Sequence, residues 1–269
     1  MTTNEHIDPD LQRLLRRLKL GRLLDTLPDR LTLARQNKTP HQDFLMTLLG
    51  DEVSRRDACS ATVRAQRAHL DPDMQLERWD QTSPVRFDKA LWSELVSMRF
   101  VEARAHVAIV GQVGVGKTFL AHALGHIACR HGYSVLVLRS DKMLKGLKHA
   151  RLDNSYDAEL RKLLAVDLLI GLDTMDITES RDAYEIFVER HRSGSIVVTS
   201  NRGPDEWLAT FADPMRAQAA IDRFTGNAHE LVIEGDSYRP RLKPTLGSAS
   251  PDPLASGSRS RRRARSRGN

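Results

Sequence analysis

The chain is poor in cysteine, in aromatic residues and in long apolar runs, and each shortage removes a class of protein. Its two cysteines, Cys59 and Cys129, stand seventy positions apart in 269 residues with no cluster of second ligands beside either. Neither a disulfide framework nor a zinc site is indicated, and both read as buried free thiols. Aromatic residues make up 5% of the chain, and no RNA-binding aromatic signature stands out. No run reaches the roughly 18 apolar residues of a membrane span. The opening MTTNEHIDPD is acidic and polar where a secretion signal would be basic and then apolar. The expectation is a soluble, cytoplasmic protein with no membrane partner. What is present is a 40% apolar fraction, enough to bury a core and to exclude disorder over the whole chain. The net charge of +6 is misleading as a global property, because six arginines (Arg259, Arg261, Arg262, Arg263, Arg265 and Arg267) crowd the last eleven residues. Without residues 245–269, which hold these arginines and Asp252, the body carries about +1, so basicity is a matter of placement.

Between residues 9 and 70 the leucines (Leu11, Leu14, Leu15, Leu18, then Leu23, Leu24, Leu27) recur at helical spacing, and a second helix is expected after Thr39-Pro40, through Phe44, Leu45, Leu48, Leu49 and Val53. This predicts a small N-terminal helical domain over 1–70. Residues 71–90, with Pro72, Pro84 and a lone Trp79, read as a connector. From 91 to 244 short apolar runs alternate with helix-length segments. Candidate strands are 106–111, 133–139, 167–170, 195–201 and 230–234, with helices at about 117–130, 141–164, 179–192 and 213–224. Most of the runs are rich in Val, Ile and Leu without alternation, as in parallel strands buried on both faces, so the fold class is α/β, a mostly parallel sheet covered by helices. The Ser, Gly, Pro and Arg composition of 245–269 predicts a disordered basic tail.

Gly111-Gln112-Val113-Gly114-Val115-Gly116-Lys117-Thr118, followed by Phe119, fits G-x-x-x-x-G-K-[ST] at every fixed position, after a strand and at the opening of a helix. In that setting the glycines let backbone N–H groups converge on phosphates and the helix N-terminus adds a favourable dipole. Lys117 reaches the β and γ phosphates, and the Thr118 hydroxyl can ligate Mg²⁺. A nucleoside triphosphatase also needs an acid at the end of a neighbouring strand. The strand Asp167-Leu-Leu-Ile170 runs directly into Gly171-Leu-Asp173-Thr-Met-Asp176 without an adjacent acid pair, leaving Asp173 and Asp176 either as substitutes or as turn acids that cap the next helix.

The chain resembles the IstB-like ATPases, helper proteins of bacterial insertion sequences related to the DnaC helicase loader within the AAA+ group. The resemblance covers about residues 10–244. It rests on the phosphate loop, Tyr184-Glu-Ile-Phe-Val-Glu-Arg-His191, Val197-Val-Thr-Ser-Asn-Arg202 with Glu206-Trp207, Asp213-Pro214, Ala220-Ile-Asp-Arg223 and Glu234-Gly-Asp-Ser-Tyr-Arg239. It implies a P-loop NTPase fold of AAA+ type and an ATP- and Mg²⁺-dependent assembly on DNA that cooperates with the transposase of the same element. It also implies that Asn201 senses the γ-phosphate and that Arg223 reaches the neighbouring subunit's nucleotide, giving self-association. Family members usually carry two adjacent Asp residues and an aromatic after the strand. Here about four residues look deleted between Ile170 and Gly171. Either Asp173 substitutes through a shift of strand register, or the protein binds ATP and hydrolyses it poorly. A helicase loader is the alternative within the same fold. A small-molecule kinase would need a mobile Arg-rich lid, for which no segment stands out.

Three cationic features compete as a contact for double-stranded DNA. From Gln12 to Lys38 eight cations face Asp25 and Asp29. Lys142, Lys145, Lys148 and Arg151 repeat every third residue on a segment after a strand, and the arginine tail is the third. Phosphate contact at any of them is independent of base sequence and sensitive to salt.

Overall fold

The computed structural model describes residues 7–80, 82–172, 180–207 and 214–238. The predicted tail, 245–269, lies outside them, as do Asp173, Asp176 and Asp213. The N-terminal part is helical, as its leucine spacing predicts. Helix α1 (Pro9–Arg17) opens on Asp8, whose carboxylate accepts from the N–H groups of Asp10 and Leu11, with Pro9 where a missing N–H costs nothing. A 3-10 turn (Gly21–Asp25) leads to α2 (Leu27–Gln36), and α3 (His41–Arg67) starts directly after Pro40. Leu23, Leu27 and Leu48 form a small core here. At 27 residues, α3 is about 40 Å long and carries the chain from that small core to the main one, which Ala65, Ala68 and Leu70 join.

Residues 71–90 are more structured than a connector. They hold a 3-10 turn (Leu76–Arg78) and strand β1 (Val85–Arg86). Helices α4 (Lys89–Val96) and α5 (Arg99–Glu102) precede β2 (His106–Gly111), α6 (Lys117–Arg130) and β3 (Val135–Arg139). The helix expected at 141–164 is two, α7 (Ser140–Leu152) and α8 (Tyr156–Leu164). Asn154 breaks it with φ 61°, and the Asp153 carboxylate accepts from Ser155 N–H and hydroxyl, a local bond that competes with the helix. The chain continues through β4 (Leu168–Leu172), α9 (Ser180–Arg190), β5 (Ser195–Ser200), α10 (Pro204–Trp207), α11 (Pro214–Thr225) and β6 (Ala228–Gly235).

The six strands stand in the order β1-β6-β2-β5-β4-β3, with β1 antiparallel to β6 and every other pair parallel. After β2 the chain travels to the far edge and returns, so β2 ends between β5 and β6. Ligands of open parallel sheets bind at such a reversal, outside the carboxyl ends of the strands. The opposite end of the sheet is tied by Arg190, fully buried on α9, whose guanidinium donates to the carbonyls of Leu163, Val166, Asp167 and Ser195. Burial draws its pKa down to about 10, against the pull of Asp167. His106, at the same end of β2, stacks on Phe224 at 5.3 Å and accepts the Ile196 N–H on Nδ1. Burial, with His191 and Arg190, pushes its pKa down to about 4, so the ring is neutral.

Candidate nucleotide-binding site

The predicted loop leaves β2 and closes onto the first turn of α6. Gly114 and Gly116 take φ values of 88° and 99°, a region that L side chains rarely adopt. Space forbids a side chain as well: a Cβ on Gly116 would stand 2.7 Å from the Trp79 ring, and one on Gly114 would collide with the Ser237 hydroxyl. Lys117 is 7% exposed, and its ammonium donates to Gly111 O, Gln112 O and Asn201 Oδ1, each at 2.7 Å. The loop lysine and Asn201, at the carboxyl end of the neighbouring strand β5, are thus brought into direct contact. Asn201 is held there by the turn that follows it: Trp207 Nε1 donates to Ser200 Oγ and Arg202 O, both at 3.1 Å. That accounts for the tryptophan of the Asn201–Trp207 motif.

A cavity of about 450 Å³ opens over the loop. One side is Val113 to Phe119 with Asn201; the other is the segment expected to be a connector, with Asp71, Met74 and Trp79; Tyr238 closes the end. The Trp79 ring lies 5.2 Å from Phe119 and 6.3 Å from Phe87, so the wall is aromatic and braced from behind. Tyr238 N–H donates to Gly114 O at 2.8 Å, which ties the segment after β6 to the loop. Trp79 and Tyr238 belong to no nucleotide-binding motif, yet both line the cavity. The signals were a lone tryptophan in a polar, proline-bearing stretch and a tyrosine at the end of the last strand. Size and lining fit a nucleotide: an apolar wall for a base and a rim of N–H groups with one ammonium for phosphates.

The remaining predicted residues fall apart into groups. Thr118 lines the cavity. Strand β4 does not stop at Ile170: Gly171 pairs with Leu138 and Val198, and Leu172 with Arg139, so the two residues past the expected strand end belong to the sheet. Asp173 and Asp176 lie outside the described residues. Arg223 is exposed on α11, away from the cavity, and its Nη1 donates to Ala219 O of its own helix. Lys142, Lys145 and Lys148 are exposed along α7. Arg151, at the end of α7, pairs with Asp182 and lies over the Tyr156 ring at 4.4 Å. The Tyr156 hydroxyl in turn donates to Glu185 and Asp182, and burial pushes its pKa up. Among the described residues no cluster of His, Cys, Asp and Glu could hold a metal ion, and no helix is long and apolar enough to cross a membrane.

Sheet order, loop and cavity define a P-loop nucleotide-binding protein of AAA+ type. The fold matches domain III of the DnaA replication initiation protein from Thermotoga maritima with a TM-score of 0.52 at 23% identity, over 64% of this chain and 71% of that one. A replication initiator DnaA solved with AMPPCP and single-stranded DNA gives 0.51 at 24% identity, over 62% and 51%. The family follows from sequence. Residues 13–245 match the model of the IstB-like ATP-binding proteins, and the chain belongs to that family. It is 35% identical over 243 residues to a protein of Mycobacterium tuberculosis described as ATP-binding and carried in an insertion sequence, covering 88% of this chain and 96% of that one. To the corresponding protein of insertion sequence IS21 from Pseudomonas aeruginosa it is 31% identical, over 88% and 91%.

Proposed function

We propose that this protein is an ATP-binding helper of DNA transposition, which assembles on double-stranded DNA and works with the transposase of its own insertion sequence. The observation that carries the reading is the contact between Lys117 and Asn201 at the mouth of a nucleotide-sized cavity, in a chain of an insertion-sequence family. Replication proteins share the fold, whereas the proteins named for insertion sequences share the sequence over nearly their whole length, which favours transposition over helicase loading.

In this reading the loop N–H groups and the start of α6 receive the phosphates, and Lys117 transfers its donors from carbonyl oxygens to phosphate oxygens. The base lies against Trp79 and Phe119. Thr118 and Asp173 are the residues that would hold Mg²⁺, which would neutralise charge on the phosphates. Asn201 meets the γ-phosphate. The extension of β4 to Leu172 supports the register shift, because it makes Asp173 the residue that follows the strand. One acid then stands where two are usual, and turnover is slow. Arg223, exposed on α11, is available to a neighbouring copy's nucleotide, and self-association follows from that contact. DNA lies along the α7 lysines, with exposed Arg16, Arg17 and Lys19 of the N-terminal part as a second contact; Arg13, Arg22 and Arg30 are already paired with Asp10, Asp25 and Asp51. Sedimentation of the full chain with a DNA duplex, with and without ATP, tests the assembly. ATP-dependent complexes with several copies per duplex are expected, and sedimentation indifferent to ATP refutes it.

A further inference from the structure

The wall that faces the phosphate loop is fastened at its root by two histidines. His122 and His126 stand one turn apart on α6, the helix that Lys117 and Thr118 open, and both are buried. They take the two polar groups of a single residue. Asp71 N–H donates to His122 Nδ1 at 3.1 Å, and His126 Nε2 meets Asp71 O at 2.8 Å. A carbonyl oxygen only accepts, so His126 carries a proton on Nε2. An amide N–H only donates, so His122 Nδ1 is bare and that ring is neutral.

The place of this clasp matters. Asp71 is where the chain leaves the end of α3 and begins the wall that bears Met74 and Trp79; Asp71 itself lines the cavity, and its Oδ1 accepts from Asp73 N–H. The docking of α3 on the body has other supports: Arg64 Nε donates to Cys129 O, Ala68 O accepts from Val137 N–H, and Leu70 lies over Gly125. Loss of the clasp therefore loosens the root of the wall at Asp71, while its farther part stays tied by the Glu77–Arg130 pair and by Trp79 on Phe119, and α3 stays in place.

We propose that His122 and His126 are positioning residues of the nucleotide site, holding the root of the wall on the phosphate-loop helix, and that protonation of His122 releases that root, so that nucleotide affinity falls in mild acid. The proposal rests on the cavity being the nucleotide site. His122 is the sensor, because its Nδ1 must be bare to accept the Asp71 N–H. Protonation of His122 would set an N–H against the Asp71 N–H. The charged groups around the pair are otherwise engaged. Asp73 is paired with Arg78, Arg64 is bonded to Cys129 O, Arg130 at the end of α6 is paired with Glu77, Arg139 of β3 with Asp141, and Glu94 of α4 with Arg99. Lys89 of α4 is exposed, and β4 and β5 bring no charged side chain. Burial lowers the His122 pKa from 6.5, opposed by Asp71 and reinforced by His126. A histidine whose folded pKa is lowered favours the closed form in full above its ordinary value of 6.5, and that preference is lost as pH falls below it.

The test is ATP affinity of the full chain at about pH 7.5 and about pH 5.5. Asparagine and glutamine place an acceptor and a donor at the positions of Nδ1 and Nε2 without titrating, so H122N/H126Q is expected to bind like the wild type at the higher pH and to lose far less affinity at the lower. The wild type should lose at least about fivefold more than the double variant between the two conditions. H122L, which strands the Asp71 N–H, should bind at least about fivefold more weakly already at the higher pH. His106 is unchanged in every variant, so its own titration cancels. Identical pH profiles for wild type and H122N/H126Q overturn the clasp while leaving the nucleotide site standing. Absence of ATP binding by the wild type at the higher pH overturns both.

Discussion

Replacing Lys117 by alanine is expected to weaken ATP binding by about 30- to 1000-fold while moving stability by no more than about 1 kcal/mol. The magnitude follows from where the ammonium sits. It is almost wholly buried, and it spends its three donors on Gly111 O, Gln112 O and Asn201 Oδ1 at 2.7 Å. A phosphate charge about 4 Å away would gain about 4 kcal/mol at an effective dielectric of about 20. Part of that is returned when the neutral acceptors are given up, leaving about 2–4 kcal/mol. Without nucleotide, alanine removes three hydrogen bonds together with the cost of burying a cation, and the two nearly cancel. Trp79, on the opposite wall and 5.2 Å from Phe119, supplies a fluorescence signal for the titration, and a thermal melt reports stability. A variant that melts like the wild type and binds ATP within about threefold of it would refute the phosphate assignment. Asn201→Ala, which removes one of the three acceptors, should cost less than about tenfold.

Three further outcomes are expected. Arg190→Ala strips four carbonyls of a buried donor and should destabilise the fold by about 3–5 kcal/mol, read by denaturant unfolding; a loss under about 1 kcal/mol would show that the sheet end is held by its apolar contacts alone. Asp173→Asn should abolish the slow Mg²⁺-dependent hydrolysis and leave ATP binding nearly intact; hydrolysis that persists unchanged places the metal partner elsewhere. Lys142, Lys145 and Lys148 all changed to alanine should lower the salt slope of DNA affinity by about 3, whereas truncation after Pro244 should leave salt-sensitive binding largely in place; DNA binding that vanishes on truncation would assign it to the arginine tail.

Local patterns were legible where the physics is local. Unbroken apolar runs marked β2, β4 and β5 because a strand buried on both faces must be apolar throughout, and the leucine spacing marked the N-terminal helices. Errors fell at boundaries. Asn154 split one expected helix through a side-chain bond at Asp153, and β4 ran two residues past the last of its consecutive aliphatics because neighbours on both sides offered Gly171 and Leu172 a ladder. No property of Gly171-Leu172 taken alone distinguishes a strand end from a turn.

By itself the sequence determined the phosphate loop, the parallel α/β class and the family resemblance, since each is written in spacings of a few residues that constrain one turn, one strand or one helix. Tertiary structure alone decided what faces that loop. Lys117 meets Asn201 across 84 positions, His122 meets Asp71 across 51, and Trp79 covers Gly116 from a segment that reads as a linker. Those contacts exist because the sheet brings distant strand ends to one edge, and a period of 3.6 or 2 carries no record of which distant side chain will arrive there.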